Sequence, residues 1–175
     1  MLSRAIMIAS VATAGVLATA EAQAQSADAV LVDSDGKTIG NVALSQLERG
    51  VRLFAQATDL PPGQHAFHIH ETGECDAPDF ESAGGHFNPT DEQHGWDNPQ
   101  GYHAGDLPNV HVQDDGRLAV EYFSDAVTLR EGEETSLFDD DGSAIVIHAG
   151  ADDYRTDPAG AAGERIACGV ISPSG

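Results

Sequence analysis

Positive charge is scarce in this chain. Eight Lys and Arg face 29 Asp and Glu across 175 residues, which leaves a formal net charge of −21 at pH 7. Nucleic acid and anionic membrane surfaces are excluded as partners, because binding phosphate needs concentrated Lys and Arg. Cysteine is rarer still, with only Cys75 and Cys168 and no CxxC spacing, which argues against a thiolate metal site. Beyond the N-terminal segment no apolar run is long enough to span a bilayer. Helical periodicity is hard to find, and there is no internal repeat or low-complexity tract.

The residues that are present suit one ordered domain. Hydrophobic residues make up 41% and charged residues 21%, which excludes disorder, and 19 Gly and 8 Pro punctuate the chain as turns do. Eight His, clustered in sequence, are the compositional oddity and point to metal.

The first 24 residues read as an address rather than as part of the fold. Arg4 forms a short basic region, an apolar stretch covers 5–18, and Ala20-Glu21-Ala22 and Ala22-Gln23-Ala24 are both A-x-A cleavage sites. This pattern predicts a secretory signal peptide over 1–24 and a mature domain over 25–175, free of the membrane once cleaved. In an oxidising compartment Cys75 and Cys168 can pair, closing a loop of about 93 residues. Two free thiols or thiolate ligands are the alternative.

Short β-branched or apolar runs recur at 29–32, 38–44, 51–57, 65–70, 109–112, 118–123, 144–148 and 166–171, separated by Gly, Pro and Asp. Turn signals such as Asp35-Gly36, Pro62-Gly63, Asp115-Gly116 and Asp141-Gly142 lie between them. Together they predict an all-β domain, an antiparallel sandwich or barrel of eight strands. Two connections, 71–108 and 149–165, are too long for plain turns and carry His, Asp, Cys and Arg, so they are expected to hold function. A third, 124–142, contains Asp139-Asp140-Asp141, which reads as a solvated acidic loop.

His68-Ile69-His70 falls in a predicted strand. Residues i and i+2 share a face, so both imidazoles can reach one ion while Phe67 and Ile69 point into the core. The first long loop adds His86, His94, His103 and Asp106, and the strand ending near Ile147 adds His148. Three imidazoles and a carboxylate from a folded-back loop suit a structural Zn²⁺. Imidazoles held rigidly by a sheet suit Cu(II). The two sets are complete if one His serves both metals, which requires deprotonation at both ring nitrogens.

The segments Gly63-Gln64-His65-Ala66-Phe67-His68-Ile69-His70, Gly84-Gly85-His86-Phe87-Asn88-Pro89, His103-Ala104-Gly105-Asp106-Leu107-Pro108-Asn109 and Ile147-His148-Ala149-Gly150 closely resemble copper/zinc superoxide dismutases. So do Asp152-Asp153-Tyr154-Arg155-Thr156-Asp157-Pro158 and Gly163-Glu164-Arg165-Ile166-Ala167-Cys168-Gly169-Val170. The resemblance covers nearly all of the chain after residue 24. It implies a Greek-key β-barrel or sandwich with two long functional loops. It implies one copper at His68, His70, His86 and His148, and one zinc at His86, His94, His103 and Asp106, with His86 as the bridge. Cys75 and Cys168 match the family's disulfide, and Arg165 matches the arginine at the copper entrance. Asp152 matches a carboxylate linking a copper His to a zinc His, and His65 a hydrogen-bonding residue behind the ligands. His111 matches no ligand, so its expected role is surface or packing.

Three departures from the better-known eukaryotic pattern stand out: a longer stretch between Cys75 and His86, a shorter loop between Asp152 and Arg165, and Ala66 in place of a glycine. The implied activity is dismutation of superoxide to O₂ and H₂O₂, with catalytic roles for Arg165 and His86, in a periplasmic enzyme. A homodimer is left open. Two rivals compete, a non-catalytic copper/zinc-binding protein on the same scaffold and a zinc hydrolase. The hydrolase needs only three ligands and an open position, fewer than this chain offers. Two divalent ions and Arg165 against Asp106 and one imidazolate leave the pocket formally cationic, whatever the net charge of the chain.

Overall fold

The structure, a computed structural model, describes residues 25–174. The predicted signal peptide lies outside them. Among the described residues the chain forms β1 (Ser26–Asp33), β2 (Thr38–Gln46), β3 (Val51–Ala57), β4 (Gly63–His65), β5 (Phe67–His70), β6 (Val110–Val112), β7 (Leu118–Ser124), β8 (Ala144–His148) and β9 (Arg165–Pro173). Strict alternation builds the outer strands: β3 buries Val51, Leu53, Ala55 and Ala57 and exposes the residues between them. β5 and β8 are buried on both faces, as strands with cover on each side must be.

The strands form an antiparallel Greek-key sandwich. Seven run in the order β5-β8-β9-β1-β2-β3-β7, and β4 pairs separately with β6. Nine strands stand where eight were expected, because the predicted run 65–70 divides at Ala66. There the chain leaves β6 and turns to β8: the Ala66 N–H donates to Gly150 O at 2.8 Å, and its carbonyl accepts from His148 N–H at 3.0 Å. A residue that changes partner cannot stay in a single ladder.

Two apolar clusters divide the faces. The main core holds Phe67, Ile69, Ile145 and Ile147 with Leu31, Val42, Leu44 and Leu53 from the opposite wall. On the other face of β5 and β8, the loop over 71–109 lays Phe80 and Ala83 against Ala144, Val146 and Cys168. Burial of each such large side chain contributes about 1.5–3 kcal/mol. The loop is therefore a roof over the outer face of β5, where His68 and His70 lie.

The 124–142 connection is more than a solvated loop. Its acidic run is exposed, but Val127, Leu129 and Leu137 are buried in the main core. Gln46 Oε1 anchors it, accepting from Thr128 Oγ1 at 2.9 Å and Leu129 N–H at 2.6 Å.

A disulfide joins Cys75 to Cys168, with Cα atoms 5.7 Å apart across a sequence separation of 93. It ties the roof to β9, beside a face the main core does not reach. Replacing both cysteines by serine is expected to lower the stability of the metal-free protein by roughly 2–5 kcal/mol, as a lost long-range cross-link does. Urea unfolding of the metal-free protein measures this, and an unchanged midpoint would show that the bridge restrains nothing.

Candidate metal centre

The ligand candidates come from three places in the chain and meet under the roof. β5 supplies His68 and His70, β8 supplies His148, and the 71–109 loop supplies His86, His94, His103 and Asp106. All seven are buried. Their ligating atoms form two groups able to hold a metal ion, His68/His70/His86/His148 and His86/His94/His103/Asp106, each with its atoms within 4.8 Å of one another. These are the two groups the sequence reading expected, and His86 belongs to both.

Hydrogen bonds decide which nitrogen of each ring faces inward. His70 Nδ1 contacts Gly84 O at 3.0 Å and His148 Nδ1 contacts Gly163 O at 3.2 Å, leaving their Nε2 atoms 3.4 Å apart. His68 Nε2 meets Asp152 Oδ2 at 2.9 Å, so its Nδ1 turns inward. His86 presents Nδ1 to the second group, 2.7 Å from Asp106 Oδ1 and 3.4 Å from His103 Nδ1. His94 Nδ1 lies 3.0 Å from the same carboxylate oxygen.

This packing suits a cation in each group. His68 Nδ1 and His86 Nε2 are buried with no hydrogen-bond partner, a costly state for polar atoms unless something else uses their lone pairs. Both belong to the first group. In the second, three imidazole nitrogens converge on Asp106 Oδ1, a clustering of acceptors and lone pairs that a divalent ion satisfies.

Electrostatics sorts the rings in the same way. Burial, with the neighbouring rings adding to it, pushes His86 down to about 4 and His148 to about 3, and holds His70 well below its ordinary value. These rings are neutral at neutral pH and offer lone pairs. Burial also disfavours charge on His94, but hydrogen bonds to Asp106 and Asp152 outweigh it and raise the ring to about 9. Burial works against the Asp106 and Asp152 carboxylates, yet the surrounding histidines hold both well below the usual carboxylate range. The first group is thus nearly neutral, and the second is built around fixed negative charge.

Behind the ligands, Asp152 joins the groups: Oδ2 reaches His68 and Oδ1 reaches His94 Nε2 at 3.0 Å. His65 braces the wall from outside, with Nδ1 2.8 Å from His148 O and Nε2 2.7 Å from Pro61 O. Arg165 is mostly buried at the edge of the first group. Its guanidinium donates to Phe80 O at 2.6 Å and Gly84 O at 2.7 Å. His111 stays exposed on β6, away from both groups.

Sequence reasoning missed Asn109, which grips the backbone on both sides of Asp152. Its Nδ2 donates to Asp152 O at 2.9 Å, and its Oδ1 accepts from Asp152 N–H at 2.8 Å. The signal was present as the last residue of a quoted motif, but no local pattern announces a partner 43 residues away. Gly160 was missed as well. It has φ +64°, and a Cβ there would collide with Asp152 Oδ1 and come within 2.8 Å of His94 Nε2.

Fold and site together define a class, an all-β metalloprotein with paired buried sites that share one imidazole. The family model described as copper/zinc superoxide dismutase (SODC) matches residues 38–171. "Superoxide dismutase [Cu-Zn] 1" of Aquifex aeolicus is 51% identical over 151 residues, 86% of this chain and 89% of that protein. "Superoxide dismutase [Cu-Zn]" of Caulobacter vibrioides is 45% identical, covering 83% of this chain and 85% of that one. The crystal structure of a SOD-like protein from Bacillus subtilis aligns with a TM-score of 0.80 and 44% identity, over 83% of this chain and 97% of that chain. The chain belongs to the copper/zinc superoxide dismutase family.

Gly160→Ala is expected to displace the Asp152 carboxylate and weaken zinc binding by about tenfold to a hundredfold, the usual cost of losing a group that orients a ligand. Competition with a chromophoric chelator reads this directly. Unaltered zinc affinity would show that the Asp152 link carries no weight.

Proposed function

We propose that this protein dismutes superoxide to O₂ and H₂O₂. Copper would be held by His68, His70, His86 and His148, and zinc by His86, His94, His103 and Asp106. The observation that carries the reading is the shared ring: one buried imidazole presents Nδ1 to a group with a carboxylate and Nε2 to a group made only of imidazoles. Family membership supports it. Copper supplies the one-electron redox couple there, and zinc, which has none, organises the loop.

The chain's own residues do the rest. The Arg165 guanidinium sits at the edge of the imidazole group, where it docks an anion by charge-assisted hydrogen bonds. The two backbone carbonyls that accept from it keep it from swinging away. His86 Nε2 is buried and faces the imidazole group, so it is the atom placed to take up a proton and hand it to the departing product. Asp152 and the Gly84 and Gly163 carbonyls hold the rings in one tautomer each, so that the ring nitrogens stay aimed while charge changes.

Residues 1–24 are proposed to be a cleaved export signal and 25–175 the periplasmic enzyme. The Cys75–Cys168 bridge supports this placement, because such bridges persist in oxidising compartments.

One preparation tests the main reading: metal analysis of the purified protein together with a superoxide-decay assay. One copper and one zinc per chain with catalytic decay are expected, and full metal loading without decay would leave only the non-catalytic alternative. Arg165→Ile should slow the decay and flatten its salt dependence with both metals still bound; an undiminished rate would remove the docking role. His86→Ala should uncouple the two metals. A copper spin-resonance spectrum and metal content identical to those of the unaltered protein would sink the bridge assignment.

A further inference from the structure

The peptide unit between Gly84 and Gly85 does more than connect the roof to His86. Its carbonyl oxygen faces His70 Nδ1 at 3.0 Å and accepts from Arg165 Nη2 at 2.7 Å. One oxygen thus orients both an imidazole of the first group and the guanidinium beside it. On the opposite edge of the same plane, the Gly85 N–H donates to Glu71 Oε1 at 2.8 Å.

Planarity makes these three contacts one device. In a trans peptide the C=O and N–H point in opposite directions and cannot turn independently. Holding the N–H toward Glu71 therefore holds the carbonyl toward His70 and Arg165. Steric contacts do not choose that orientation, because glycine on both sides lets the plane rotate at little steric cost, so its hydrogen bonds decide it. Gly84 lies at φ +73°, and the Glu71 side chain occupies the space over it: a Cβ on Gly84 would come within 2.8 Å of both Glu71 Cγ and Oε1.

The backbone that carries Glu71 is well fixed. The residue directly follows His70, and its N–H donates to Gly85 O at 3.0 Å, with Thr72 N–H donating to Ala83 O at 3.1 Å. A carboxylate on the N–H end of a peptide also strengthens its carbonyl as an acceptor, since hydrogen bonds in series polarise one another.

We propose that Glu71 is a positioning residue of the metal centre: its carboxylate clamps the Gly84–Gly85 peptide and so sets the direction of both His70 and Arg165. The inference rests on the reading of the first group as a copper site with Arg165 at its edge. It adds a residue that touches neither metal nor substrate. Because Glu71 acts through a hydrogen-bond acceptor, an amide oxygen at the same place should serve, and removal of the side chain should not.

The test compares the unaltered protein with Glu71→Ala and Glu71→Gln, each loaded with copper and zinc. In the reduced, diamagnetic form, nitrogen-15 NMR follows the Gly85 amide and the Arg165 guanidinium; in the oxidised form, spin resonance follows copper. In Glu71→Ala the Gly85 amide should lose exchange protection by about tenfold or more, the factor for a lost hydrogen bond to a charged acceptor. The Arg165 signals should broaden, the copper spectrum should change, and superoxide decay should slow several-fold. Glu71→Gln should restore the amide, the guanidinium and the copper spectrum. The proposal is overturned if Glu71→Ala frees the Gly85 amide while Arg165 and copper keep their unaltered spectra, because Glu71 would then be a loop staple only. It is equally overturned if Glu71→Gln behaves as Glu71→Ala does. Absence of superoxide decay in the fully loaded, unaltered protein would reject the proposed activity and leave the spectroscopic comparison intact.

Discussion

His86 has both ring nitrogens committed inside the protein, and the rest of the structure is arranged around that ring. An imidazole serving two sites must sit between two walls, with Nδ1 and Nε2 each opening on a separate cluster. Here one wall is the outer face of β5 and β8, and the other is the loop that returns over it. Neither wall suffices. The strands alone offer three imidazoles, and the loop alone offers its carboxylate set with no rigid backing.

The constraint explains why so much of the chain goes to holding a loop still. Hydrophobic contacts from Phe80 and Ala83, a disulfide from Cys75 to β9, and antiparallel pairing of 70–72 with 83–86 all press the roof onto the sheet. From the other long loop, Asp152 and Gly160 close the back of the site, and Asn109 pins Asp152 in turn. Most of these contacts lie outside the ligand set, and together they hold the backbone and side chains that aim the rings. That is how a protein sets the properties of an ion it touches only through side-chain tips.

Charge follows the same division. The chain carries −21 at pH 7, yet the imidazole group is nearly neutral and has Arg165 at its edge. Of the two buried carboxylates, Asp106 lies in the other group, surrounded by three rings, and Asp152 links the groups from behind. Steering of an anion toward the first group would therefore have to come from local cations, because the net charge would repel it.

Much of this was legible in the sequence. Short β-branched and apolar runs between turn signals located the strands, and His68-x-His70 on one strand face, with Phe67 and Ile69 on the other, followed from the geometry of the pleat. Residue types supplied the seven ligand candidates and two cysteines able to pair, and the family resemblance divided the candidates into two groups sharing His86. Tertiary structure decided what depends on partners far along the chain. The 65–70 run breaks at Ala66 because β6 and β8 compete for it, and the acidic 124–142 connection buries Val127, Leu129 and Leu137 because Gln46 anchors it. Which nitrogen of each ring faces inward was likewise undetermined until Gly84 O, Gly163 O and Asp152 were in place. A side chain's identity is local, but its orientation is set by hydrogen-bond partners that only folding brings within reach.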